Sequence, residues 1–273
     1  MAEQKSMSER YRVEPGQKVK LSKWDPAETG EFDSKGKARK AMQNNLKRLA
    51  KLEYLLYAES KRSVLIVLQA MDAGGKDGTI RHVMGPLNPQ SCRVTSFKAP
   101  SAEELSRDFL WRIHKAVPAK GEIGIFNRSH YEDVLIVRVK KLVEKAVWSK
   151  RYRQINDFER LLSENGVHIL KFFLHISKDE QLKRLQSRLD DPDKNWKITP
   201  ADAEERQYWD DYVAAYEDAL TQCSTSYAPW HIIPADAKWY RNLAISEILV
   251  EAFEGFGMQF PKPAADVASI KLK

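Results

Sequence analysis

Residues 64–80 read VLIVLQAMDAGGKDGTI, and the reading of this stretch decides the fold. A short apolar, β-branched run, Val64 to Leu68, passes at once into paired glycines and a lysine, which is the order strand, loop, helix start. Such a loop can cradle phosphate. Glycines let backbone N–H groups converge on an anion, the helix N-terminus adds partial positive charge, and a lysine reaches the outer phosphates. Ala73, Gly74, Gly75, Lys76, Asp77 and Gly78 make up the expected cradle. The pattern departs from G-x-x-x-x-G-K-[ST], because Ala70 stands at the first glycine and Asp77 at the Ser/Thr that would hold magnesium. Asp72, inside the loop, is then the candidate carboxylate for an oxygen-seeking cation.

Outward from this stretch, strand and helix patterns alternate. Met42, Leu46, Leu49, Leu52, Leu55 and Leu56 recur at helical spacing ahead of the first strand, so residues 41–60 are expected as a helix. The helix opened by Lys76 should end near Gly85-Pro86, followed by a second strand at 93–97. Ser101 with Glu104 forms a capping box before a helix that leads to a third strand at 122–126. Helices at 147–165 and 238–253 and strands at 167–176 and 230–233 complete a parallel five-stranded sheet flanked by helices in three layers. His168 and His175 are read as structural residues of the fourth strand.

In open parallel sheets ligands bind at the carboxyl ends of the strands. The third strand runs into Asn127-Arg128-Ser129-His130-Tyr131-Glu132-Asp133, so this polar run is expected to meet the cradle. Ser177 with Glu180 starts a helix carrying Lys183, Arg184 and Arg188 and ending at Asp191-Pro192. With Lys194, Trp196 and Lys197 beyond it, residues 180–205 read as a lid that closes over phosphates and excludes water. Thr199-Pro200-x-Asp202 opens the next helix, expected to run to Gln222.

The chain has 273 residues, 42% of them apolar, and a net charge of +7, which suits one large α/β domain and a polyanionic partner. Residues 1–40 are read as a loosely packed arm, 41–260 as the domain and 261–273 as a tail. No apolar stretch has the length of a membrane span, and Cys92 and Cys223 read as two reduced thiols of a cytoplasmic protein. No recognition module for nucleic acid is encoded.

Three quoted motifs, MDAGGKDG, FNRSHYEDV and DPDKNWK, together resemble the polyphosphate kinase 2 family over nearly the whole chain. The resemblance implies a fold similar to thymidylate kinase. It also implies Mg²⁺-dependent transfer of a terminal phosphate between inorganic polyphosphate and a nucleotide, with Mn²⁺ as an alternative ion. It places Asp72, Lys76 and Arg81 in the first phosphate motif, Arg128 in the second, and Arg184, Arg188, Lys194 and Lys197 in the lid. Asn127 stands where many members carry Asp, which moves the acidic duty to Glu132 or Asp133. Asn127, Arg128, His130, Tyr131, Glu132 and Asp133 are the expected nucleotide contacts, and Asp72, Glu132 and Asp133 the candidate metal ligands. This version of the motif is similar to the subgroup that phosphorylates both AMP and ADP. Adenine and also guanine nucleotides are the expected acceptors, and a homo-oligomer, dimer or tetramer, the expected state. An ATP-dependent nucleoside monophosphate kinase of the same fold and a nucleic-acid binder are the competing readings.

Overall fold

A computed structural model describes residues 5–263. Its five strands, β1 (Ser63–Ala70), β2 (Cys92–Ser96), β3 (Ile123–Asn127), β4 (Val167–His175) and β5 (Trp230–Pro234), form one parallel sheet in the order β2-β3-β1-β4-β5. β1 is buried along its whole length, as a near-continuous apolar strand covered on both faces must be. In register, Leu68 lies beside Asn127 of β3 and Phe172 of β4. The chain leaves β1 toward β2 and β3 on one side and later crosses to β4 and β5 on the other. The two sets of connections part above the carboxyl ends of the central strands, and a crevice opens there.

Several elements differ from their expected form. The leading helix spans Lys35–Glu59 and ends at Ser60 in a left-handed conformation, so it starts earlier than its apolar stripe suggests. The helix after the cradle is α only from Lys76–Thr79 and then widens into a π-helix, Ile80–Met84. The helix after Ser101 is two short pieces, Ala102–Leu105 and Trp111–His114. The helix after Thr199 is likewise broken, into Pro200–Glu205, a 3-10 turn Arg206–Tyr208, and Trp209–Cys223. Ser177 accepts from the Glu180 N–H, but no capping box closes: the Glu180 carboxylate is taken by Arg184, and the Ser177 N–H donates to Asp236 Oδ1 instead.

The arm is not loosely packed. Tyr11, Val13, Val19 and Leu21 are buried, the Val13 N–H donates to Trp230 O at 2.8 Å, and Tyr11 and Tyr240 share a hydrogen bond of 2.6 Å. Glu251 accepts from the free N–H groups of Met7 and Ser8 at the start of helix Met7–Tyr11. The apolar residues set among the arm's polar ones thus cover β5, an edge strand that would otherwise face water.

The closing helix, Lys238–Gly255, is buried between the sheet and the leading helix. His175 Nε2 meets the Trp24 carbonyl at 3.0 Å and the His168 ring lies on Phe256, both structural roles. Cys92 and Cys223 are free thiols. Among the described residues, no helix is long and apolar enough to cross a membrane. Of the tail, residues 264–273 lie outside the described residues.

Candidate active site

The loop from Met71 to Gly75 turns sharply at the end of β1. Gly74 N donates back to Met71 O at 3.0 Å, and a Cβ on Gly74 would stand 2.6 Å from the Ala70 Cβ. Gly75, at φ +105°, ends the turn and sets Lys76 at the first helical position. The Lys76 ammonium reaches back over the loop to Ala70 O at 3.1 Å. Burial first, and then the neighbouring Arg128, hold its pKa below the usual lysine value, against the pull of Asp72, Glu132 and Asp77.

One strand over, β3 ends in Asn127. Arg128 follows in a left-handed conformation at φ +63°, anchored by its N–H to Leu68 O at 3.1 Å. Ala73, at φ +59°, is the other non-glycine residue of the site in this region, so both halves hold strained backbone. The strain aims Arg128 toward β1, where Nη2 donates to Asp72 Oδ1 at 3.2 Å. Burial opposes the Arg128 charge, but Glu132 and then Asp72 outweigh it and hold its pKa above the arginine norm. The Asn127 amide donates to Asp77 Oδ1 at 2.7 Å, a second tie between the motifs.

Two cavities meet here. The larger, about 970 Å³, is walled by Asp72, Ala73 and Gly75 to Gly78 of the cradle, by Asn127 and Arg128, and by Arg184, Arg188, Lys194 and Lys197 of the lid. The smaller, about 180 Å³, lies between Glu132, Leu135 and Ile136 on one side and Trp209, Tyr212 and Tyr216 on the other. Asp72 and Arg128 line both. Glu132 lies at the wall of the small cavity; burial raises its pKa while Arg128, Lys76 and Gln69 restrain the rise. With its amide oriented to satisfy both ends, Gln69 donates to Glu132 Oε1 at 3.1 Å and accepts from Ser129.

Three of the expected nucleotide contacts fall outside both cavities. His130 and Tyr131 are fully buried behind the turn: His130 Nε2 and the Tyr131 hydroxyl meet Glu159 Oε1 at 3.1 and 2.9 Å, and Lys171 Nζ donates to Tyr131 and to Glu159 Oε2. They anchor the turn and do not face a nucleotide. Asp133 is paired with Arg151 at 2.9 Å on the helix Lys145–Glu164 and lines neither cavity, so its carboxylate is taken up outside the site that Asp72 and Glu132 share. The tight 3-10 turn His130–Val134 separates these roles, sending 130 and 131 inward while Arg128 and Glu132 face the cleft. Arg81 is exposed on the π-helix and lines neither cavity. Arg184 does line the groove, but its guanidinium is committed to Glu180 and to the carbonyls of Ala73, Gly74, Ala235 and Asp236. It braces the loop, which a lid cation free to follow a substrate would not do.

The family model described as Polyphosphate kinase 2 matches residues 31–261. The chain belongs to the polyphosphate kinase 2 family. It is 56% identical to the AMP/ADP-polyphosphate phosphotransferase of Meiothermus ruber, over 96% of this chain and 98% of that protein. It is 47% identical to the ADP-polyphosphate phosphotransferase of Rhodopseudomonas palustris, over 94% of this chain and 93% of that one. The crystal structure of Polyphosphate Kinase 2 from Arthrobacter aurescens TC1 superposes with a TM-score of 0.94 at 47% identity, covering 97% of this chain and 95% of that one. The parallel five-stranded α/β fold expected from the sequence is therefore one shared with a solved polyphosphate kinase 2, and the class of this polyphosphate kinase 2 chain is that of a kinase-type transferase.

The polyphosphate kinase 2 site also contains residues that no motif announced. Lys98, Lys238 and Arg241 line the large groove, and Glu205, Tyr212 and Tyr216 the small one. Applying the strand-end rule to β2 would have found Lys98. The single arginine of the closing helix, close to the apolar run from Leu243 to Ile245, was the available signal for Arg241.

Proposed function

We propose that this protein transfers the terminal phosphate of inorganic polyphosphate to AMP and to ADP. One observation carries the reading: a groove lined by ten Lys and Arg side chains against four carboxylates joins a small aromatic-walled cavity at Asp72 and Arg128. A polyanionic chain suits the first and a nucleoside the second, so the two phosphates would meet beside Lys76. The relatives' names, AMP/ADP-polyphosphate phosphotransferase in Meiothermus and ADP-polyphosphate phosphotransferase in Rhodopseudomonas, support the same reading over ATP-dependent phosphorylation.

An ionised oxygen of the acceptor phosphate attacks the terminal phosphorus of the chain. A new phosphoanhydride forms as the old one breaks, and the shortened polyphosphate leaves with the bonding electrons. The nucleophile carries no proton to remove, so no general base is needed. Catalysis is then positioning and neutralisation of spreading negative charge, by Lys76 from the loop and Arg128 from β3.

Among the described residues, no group of three or more His, Cys, Asp or Glu side chains forms a metal cage. Asp72 and Glu132, lining one cavity, fit an ion held by one or two carboxylates plus substrate phosphates, as Mg²⁺ is and Mn²⁺ can be. When bound, the ion would neutralise charge on the transferring phosphate. We further propose guanine nucleotides as acceptors, a cytoplasmic site of action, and a homo-oligomer, for which exposed Tyr54, Tyr57 and Phe260 offer an apolar surface.

The test offers AMP, ADP, GMP and GDP separately with polyphosphate and Mg²⁺, with adenylate kinase inhibited. From AMP alone, ADP should appear first and ATP after a lag. Arrest at ADP, or no reaction with AMP, would remove dual acceptance, and phosphorylation by ATP but not by polyphosphate would remove the donor.

A further inference from the structure

Two guanidinium groups that border the large groove also hold the carbonyls of the phosphate loop. Arg184 Nη1 donates to Ala73 O at 3.1 Å and to Gly74 O at 3.3 Å. Arg241 Nη1, from the closing helix, donates to the same Gly74 O at 3.3 Å. The rest of the Arg241 fork is held by Asn242 Oδ1, at 3.1 Å from Nε and 2.8 Å from Nη2. Arg241 is only 2% exposed and has no carboxylate among its hydrogen-bond partners.

The glycines of the motif are fitted to this side chain. A Cβ on Gly75 would collide with Arg241 Nη1, and a Cβ on Gly78 would lie 3.2 Å from Nη2. The carbonyl and N–H of a peptide group point in opposite directions. A carbonyl held by a guanidinium therefore leaves the N–H of the following residue, here Gly75, pointing the other way, unclaimed by that guanidinium.

We propose that Arg241 is a positioning residue for phosphoryl transfer, which orients the Gly74–Gly75 peptide plane through the Gly74 carbonyl and adds unneutralised positive charge beside the cradle. Lys238, one turn earlier at the groove's rim, fits the same picture. Its pKa is lowered by burial and then by Arg184, Arg241 and Lys194, with Glu180 alone opposing, which is the field an anionic donor would relieve. The inference rests on the polyphosphate reading only for the identity of the donor.

The experiment compares Arg241→Lys, Arg241→Met and Gly75→Ala with wild type for kcat, donor KM, AMP KM and Tm, using polyphosphate and ATP in parallel. Lysine keeps the charge but cannot span Gly74 and Asn242 together. It should lower kcat roughly tenfold with donor KM near wild type. Methionine removes charge and geometry, and should lower kcat about a hundredfold and raise donor KM, as a displaced catalytic group does. AMP KM should stay within about twofold in both, a split that a general loss of folding would not produce. Gly75→Ala, which displaces Arg241 while leaving it present, should resemble methionine, and Gly75→Ala/Arg241→Met should be no worse than the poorer single variant. Additive losses, wild-type kcat in either Arg241 variant, or a fall in Tm alone would overturn the proposal. If Arg241→Met does not fold, the lysine and alanine variants decide it by the same criteria. Wild-type activity with ATP but none with polyphosphate would refute the donor reading instead, and the Arg241 comparison would then be made with ATP.

Discussion

Arg128 Nη2 donates to Asp72 Oδ1 at 3.2 Å, joining the end of β3 to the loop after β1 at the point where the two cavities meet. Both side chains are more than one-third exposed, so the pair adds little to stability. Its importance lies in being exchangeable: a phosphate can take Arg128, and a cation can take Asp72.

Asp72→Asn keeps the shape and removes the charge. We expect kcat to fall by about two orders of magnitude or more, with a weakened response to added Mg²⁺. Asp77→Asn, which retains an acceptor for Asn127, should lose far less. A magnesium titration of both variants checks this, and an unchanged curve for Asp72→Asn would return the ligand role to another residue.

Lys76 gives a pH dependence of known sign. Burial and Arg128 lower its folded pKa, so the charged form costs stability; the cost is fully present below the folded pKa and disappears as pH rises toward the unfolded value. Catalysis needs the charge, so kcat/KM should decline as pH rises through that lowered pKa while stability does not. Lys76→Met should lower kcat by roughly a hundredfold or more, abolish this alkaline limb, and unfold no earlier than wild type. Rate profiles and thermal melts across pH 7 to 10 make the comparison.

The lid cations should separate into two kinds. Arg188, Lys194 and Lys197 line the groove, and neutralising each should flatten the salt dependence of donor KM, because fewer counterions are released on binding. Arg184→Met should instead lower kcat and Tm, since it frees the carbonyls of Ala73 and Gly74. Equal salt slopes for wild type and the Arg188, Lys194 and Lys197 variants would make those cations ordinary surface.

Behind the site, Lys171 and Glu159 form a buried ion pair at 2.6 Å, and Lys171 Nζ also donates to Cys223 O. Burial opposes the Glu159 charge, but Lys171 and His130 outweigh it and hold its pKa below the usual carboxylate value. The pair therefore contributes stability above the unfolded carboxylate pKa that is lost as pH falls through the folded one. Lys171→Met should cost about 3–5 kcal/mol in urea unfolding and shift acid unfolding to higher pH, and Glu159→Gln added to it should recover part of the loss. A neutral single variant would show that the turn at 130–131 is held by packing alone.

The order of strand, cradle and helix, the parallel sheet and the convergence of MDAGGKDG with NRSHYED at the strand ends were all legible in the sequence. Apolar periodicity, glycine turns and strand-end placement are local signals, and each survives tertiary packing because the sheet is built on them. Which residues of the second motif face the cleft was decided by the 3-10 turn and the left-handed Arg128, and nothing in the residue types separates His130, Tyr131 and Asp133 from Glu132. The packing of the arm against β5, the commitment of Arg184 to loop carbonyls and the fit of Arg241 beneath Gly75 depend on partners distant in the chain. An arginine's five donors serve a phosphate or a carbonyl equally well, so composition marks the charge, and only the tertiary structure decides what that charge meets.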